Sequence, residues 1–227
     1  MSTTTKRLLA CGIVGGPVFV TVAIVQAVTR RGFDLAHQSL SMLSLGGAGW
    51  IQIANFLVAG ALAIACASGL RRLARERNSG PWAARLVYVY GAGLIVGGVF
   101  HPDPGAGFPP GTPTNQSVVR TAHGALHVAS GTIAFISLIV ACFVLARILR
   151  DAGLPRQARA SRVVAIAFAI CVAAASAPGG SLILFVGASL AMLWLAVVAK
   201  ALIQYATATE DERRRVRGES QVLGQLG

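Results

Sequence analysis

The residues with most chemistry to offer stand close together in pairs: His37 follows Asp34 by three, Asp103 follows His101 by two, and His123 and His127 are four apart. On a helix, positions four apart share a face, and two imidazoles so placed can hold one divalent metal ion. Helical histidine pairs of zinc proteases work this way, but their first histidine is followed by a catalytic glutamate. Here the run reads His123-Gly124-Ala125-Leu126-His127, and that chemistry is excluded.

Upstream lies His101-Pro102-Asp103-Pro104. The two prolines forbid helix continuation and hold His101 and Asp103 in an extended turn. Together with His123 and His127 this makes three nitrogens and a carboxylate, a donor set suited to zinc or another divalent first-row metal. The expectation is a metal held by His101, His123 and His127. Asp103 would act as a further ligand or as base toward a metal-bound water, with Ser41 and His37 as proton partner or oxyanion donor. Haem fits less well, because His123 and His127 cannot lie on opposite sides of one iron and His101 or His37 would have to supply the other face. The plain alternative is that these groups hydrogen-bond one another, cap helix ends and bind water, with Asp103 paired to Arg120.

The elements that must position these residues are apolar. Of the 227 residues, 55% are hydrophobic and only 12% charged, which departs from soluble globular composition in both directions. Charge-free stretches recur at a length that crosses a hydrocarbon core of about 30 Å. The expected fold class is all-α, a polytopic bundle of six transmembrane helices over residues 8–28, 50–70, 82–100, 122–146, 163–177 and 181–202, with both termini cytoplasmic. The first stretch is long for a cleaved leader and is read as a retained span. With this topology 17 of the 20 Lys and Arg fall inside, leaving only Arg30, Arg31 and Arg120 outside. That bias marks an inserted protein, and it assigns the net charge of +12 to contact with anionic lipid and not to nucleic acid.

All four histidines, with Asp34 and Asp103, then fall on the outer side. The first outer loop places Asp34, His37, Gln38, Ser41 and Ser44 on one arc of an amphipathic helix, a pattern that Ser39 alone breaks. Residues 104–119, rich in Pro and Gly, should form an ordered rim with no regular element, and Asn115-Gln116-Ser117 within it matches a glycosylation acceptor. Gly12 and Gly16 in the first span and Gly91, Gly93, Gly97 and Gly98 in the third predict close helix approach. The third outer turn is Pro178-Gly179-Gly180, and the segment Arg147 to Arg162 is read as a basic turn. Cys11, Cys66, Cys142 and Cys171 fall within spans, where no disulfide or metal role is expected. Residues 206–227 read as a helix continuation fraying into a partly disordered cytoplasmic tail.

The segments Asp34-Leu35-Ala36-His37-Gln38-Ser39-Leu40-Ser41, Phe100-His101-Pro102-Asp103-Pro104 and His123-Gly124-Ala125-Leu126-His127 together resemble the bacterial and archaeal membrane proteins grouped as domain of unknown function 998, over roughly residues 8 to 205. The resemblance implies six membrane helices, a place in the bacterial plasma membrane, and no established activity. A second similarity, of residue types, is to the CREST superfamily of membrane hydrolases, which includes alkaline ceramidases and adiponectin receptors. It implies zinc on His101, His123 and His127 with Asp103 and Ser41 assisting. The chain departs from that pattern in having six spans and its histidine pair in the fourth.

Two function classes follow. One is a metal-dependent enzyme acting on a lipid or isoprenoid-like substrate at the outer leaflet. The other is a non-catalytic lipid-binding or partner-stabilising component whose histidines tune a polar pocket. Proton-coupled transport is disfavoured, because no acid lies deep in a span.

Overall fold

The computed structural model describes residues 1–76, 80–114 and 121–226. Six helices form it: α1 (Thr3–Thr29), α2 (Gly49–Glu76), α3 (Trp82–Val99), α4 (Ala122–Asp151), α5 (Pro155–Ala173) and α6 (Gly180–Leu226). All six are long and apolar enough to cross a membrane. Each packs against the next, and α6 returns to α1 to close the bundle, whereas α4 and α6 barely touch. Apolar side chains also cover the outside, among them Val28 at 77% exposure and Val163 at 65%, as expected where the outer solvent is lipid.

The glycines act as their spacing predicts. A Cβ on Gly16 of α1 would come within 2.5 Å of the Met192 carbonyl oxygen on α6. Gly60 of α2 and Gly91 of α3 face one another so closely that each would strike the other's carbonyl, at 2.6 and 2.8 Å. Without a hydrophobic drive between helices in lipid, such backbone approach and buried polar links hold the bundle. Three links are clear. The Gln26 amide of α1 donates to Gln52 Oε1 of α2 at 2.7 Å, and Asn55 Nδ2 donates to the Phe19 carbonyl at 3.1 Å. On α5, buried Ser161 donates to the Cys142 carbonyl of α4 at 2.8 Å and accepts from Trp194 Nε1 of α6 at 3.0 Å.

Two local expectations need correction. The segment read as a basic turn is mostly helix: α4 runs on to Asp151 and α5 begins at Pro155, so only residues 152–154 turn the chain, with Gly153 at φ +73° and Pro155 at the first helical position. Arginine stems extend a helix beyond its apolar stretch without burying charge, so hydropathy alone ends it too early. The second concerns the loop after α1. Residues 34–39 form turns followed by a short 3-10 helix, Leu40–Ser44, in place of one amphipathic helix. Asp34 accepts the Ala36 N–H at 2.9 Å and Gln38 Oε1 accepts the Asp34 N–H at 2.9 Å, so side chains compete with the helical ladder.

This loop and the one after α3 meet at the same end of the bundle, hereafter the histidine end. Phe108, only 1% exposed, packs edge-on to Phe33 and beside Met42 and Leu45, and Gln38 Nε2 donates to the Ala106 carbonyl at 2.8 Å. Ala106 and Gly107 take φ of +49° and +77° between the reciprocal hydrogen bonds of Gly105 and Phe108. That tight turn aims Phe108 inward. The loop is therefore an ordered rim over residues 104–114, while Asn115, Gln116, Ser117 and Arg120 lie outside the described residues.

Candidate functional site

The histidine end carries every residue singled out for chemistry, yet it distributes them over three places. Asp34 and His37 form an exposed pair, Oδ2 to Nδ1 at 2.7 Å. That hydrogen bond, more than the one from Ala36, holds the Asp34 carboxyl below its ordinary value.

His101 and His123 make the second group. Both are exposed, their ring centroids lie 5.6 Å apart, and Phe100 meets His123 edge-on at 5.2 Å. Asp103 sits beside them but is engaged elsewhere: it accepts from Thr121 Oγ1 at 2.5 Å and from the Thr121 N–H at 3.1 Å. Thr121 in turn caps α4 by accepting from the Gly124 N–H at 3.1 Å. The carboxylate thus rests on the amino end of α4, where the helix dipole favours it, directly over Gly124, whose missing side chain leaves it room. Hydrogen bonding from the Thr121 hydroxyl is the main reason its pKa falls below the ordinary carboxylate value, with His101 and His123 adding weaker pulls.

His127 is the third place, and it faces inward. Its Nδ1 lies 2.9 Å from the Gly97 carbonyl and 2.8 Å from the Phe100 carbonyl. Both partners only accept, so Nδ1 carries the proton and the ring caps the unpaired carbonyls at the end of α3. The residues expected to surround one metal thus divide: His101, His123 and Asp103 stand side by side, while His127 turns inward to the α3 carbonyls and His37 pairs with Asp34. Among the described residues, no three His, Cys, Asp or Glu side chains form a group able to hold a metal ion.

What the fold does build is a cavity of about 380 Å³, walled by all six helices. Its shallow part is lined by Ser39, Ser41 and His127, its deep part by Phe135, Phe168 and Met192. Ser39 and Ser41 lie Oγ to Oγ at 3.2 Å, half-buried. Tyr90 also borders the cavity, about 13 Å down α3 from Val99 at 1.5 Å per residue, and its buried hydroxyl has no partner among the described residues. On one side the wall includes Val128, 64% exposed on α4, so the lining extends to the outer surface of that helix. Gly131, also on the lining, faces open space.

Of the residues expected to do chemistry, only Ser41 and His127 line this cavity, while His37, His101, Asp103 and His123 stand outside it. Sequence reasoning missed its deep wall, since aromatic and Met residues at helical spacing read as core. One signal was available: Ser39, which breaks the amphipathic pattern of its loop, is there because it faces the cavity.

No match was found among curated proteins or among solved structures. A family model described as protein of unknown function (DUF998) matches residues 13–201, which spans α2 to α5 and reaches into α1 and α6. The chain belongs to the DUF998 family.

Proposed function

We propose that the protein is a non-catalytic lipid-binding membrane protein that holds the apolar body of a lipid-like molecule between its helices. The cavity carries this reading. Protein interiors rarely leave room for more than a water molecule, and a space of about 380 Å³ far exceeds that. Its volume lies within the ~300–1,000 Å³ typical of small-ligand pockets, and its lining is mostly apolar with a few polar groups, Ser39, Ser41 and His127 among them at the shallow end. Entry is lateral, past Val128, so a bilayer molecule need not cross water. The histidine end is the outer face of a bacterial plasma membrane in this reading, with the arginine-rich end in the cytoplasm, which the charge bias supports.

The test uses a lipid with a photoreactive group on its chain, in nanodiscs. Crosslinks are expected on Phe135, Phe168 and neighbouring lining residues, and Gly131→Trp, at a lining position where an added Cβ meets nothing within 4 Å, is expected to abolish them. Crosslinks confined to outward residues such as Val163 and Ile170, unchanged by Gly131→Trp, would overturn the reading.

A further inference from the structure

We infer that the molecule held in the cavity is an uncharged lipid alcohol, a long-chain or isoprenoid chain ending in a hydroxyl, which donates its proton to Nε2 of His127. The inference rests on the lipid-binding reading and adds the chemistry of the head.

Three observations carry it. First, among the described residues the lining contains no Lys, Arg, Asp or Glu, so a phosphate, carboxylate or ammonium head would enter an apolar space without a counter-charge from them. An uncharged head avoids that cost. Second, the two carbonyls on Nδ1 fix the tautomer. With that tautomer Nε2 is bare, and it accepts and cannot donate. No protein group among the described residues is bonded to that nitrogen, although the ring borders the cavity. A carbonyl or ether head would face it lone pair to lone pair; a hydroxyl presents the proton it lacks. Third, Ser39 and Ser41 stand at the same shallow end, and one of the two hydroxyls must donate to the other. The second hydroxyl proton remains for the alcohol oxygen, so a single hydroxyl head donates to His127 and accepts from a serine. Its chain runs down past Phe135 toward Phe168 and Met192.

The experiment is displacement of the photoreactive lipid from the full-length protein by four probes of equal chain length: hexadecane, hexadecanol, palmitic acid and hexadecyl phosphate. Hexadecanol is expected to displace at about tenfold lower concentration than each of the others, the size of one well-made hydrogen bond in an apolar setting. His127→Asn retains an N–H for the α3 carbonyls but loses the acceptor at Nε2, and is expected to remove most of the alcohol's advantage while leaving hexadecane unchanged. Because His127 also caps α3, the Ser39→Ala, Ser41→Ala double variant supplies a second reading: it too should narrow the gap between alcohol and alkane. Equal displacement by all four probes, stronger displacement by acid or phosphate, or an alcohol preference that survives both variants would overturn the inference and leave lipid binding standing. Failure of every probe to displace would overturn lipid binding itself.

Discussion

Single side chains here owe their roles to what occupies their hydrogen-bonding atoms. Asp103 looks in the sequence like a catalytic carboxylate, but both of its oxygens are engaged by Thr121 at the start of α4. Its depressed pKa has a stability consequence with a definite sign. A carboxyl whose folded-state pKa lies below the ordinary 3.8 stabilises the fold above that pH and loses the contribution as pH falls through the folded value. The melting temperatures of wild type and Asp103→Asn should therefore differ at pH 7 and converge as pH drops below 3.8, which thermal unfolding in detergent over a pH series would measure. A constant difference across the series would mean that the carboxylate's charge contributes nothing. Tyr90 is the opposite case, a buried hydroxyl with no partner among the described residues. Leaving such a group unsatisfied costs ~1–3 kcal/mol, so Tyr90→Phe, which retains the ring, should raise the stability of the ligand-free protein by about 1 kcal/mol. A lower melting temperature would show that the hydroxyl is satisfied in solution.

At the scale of elements, helix contact rests on glycine. The Gly60–Gly91 pair between α2 and α3 and Gly16 against Met192 between α1 and α6 bring backbone against backbone, where no rotamer change can make room. Gly60→Ala and Gly16→Ala should each destabilise by roughly 1–3 kcal/mol, the usual cost of overpacking. Gly131→Ala, whose Cβ meets nothing within 4 Å, should be neutral. Comparing the three by chemical denaturation in mixed micelles separates close packing from helix propensity, because the same substitution is made in helices throughout. Membership of the two tight interfaces was legible in the spacing of Gly12 and Gly16 and of the α3 glycines. The function of Gly131 was not, since a glycine facing a void and one facing a backbone look alike in sequence.

For the whole molecule, the decisive feature is a cavity walled by all six helices, whose lining includes Val128 on the lipid-facing side of α4. In the proposed reading a ligand enters it from one leaflet. Orientation decides which leaflet. Single cysteines at position 37 and at position 156, in a background without other thiols, give the measurement: a membrane-impermeant maleimide should label His37→Cys in intact cells and Arg156→Cys only after lysis. Reversed labelling would move the cavity mouth to the cytoplasmic side and leave its geometry intact.

The sequence by itself determined the class of fold, the number of helices, the ends at which charge and histidine gather, and the glycine contacts, because each of these follows from local composition and a fixed helical period. It also brought all four histidines to one end of the bundle. Only the tertiary structure decided that His101 and His123 stand together while His37 and His127 are held elsewhere. Asp103 is bound to Thr121, His37 to Asp34 and His127 to the carbonyls of α3, and which partner wins a hydrogen-bonding atom depends on distances across elements that no periodicity encodes. The cavity is likewise invisible in sequence, since a void is defined by the side chains that fail to fill it.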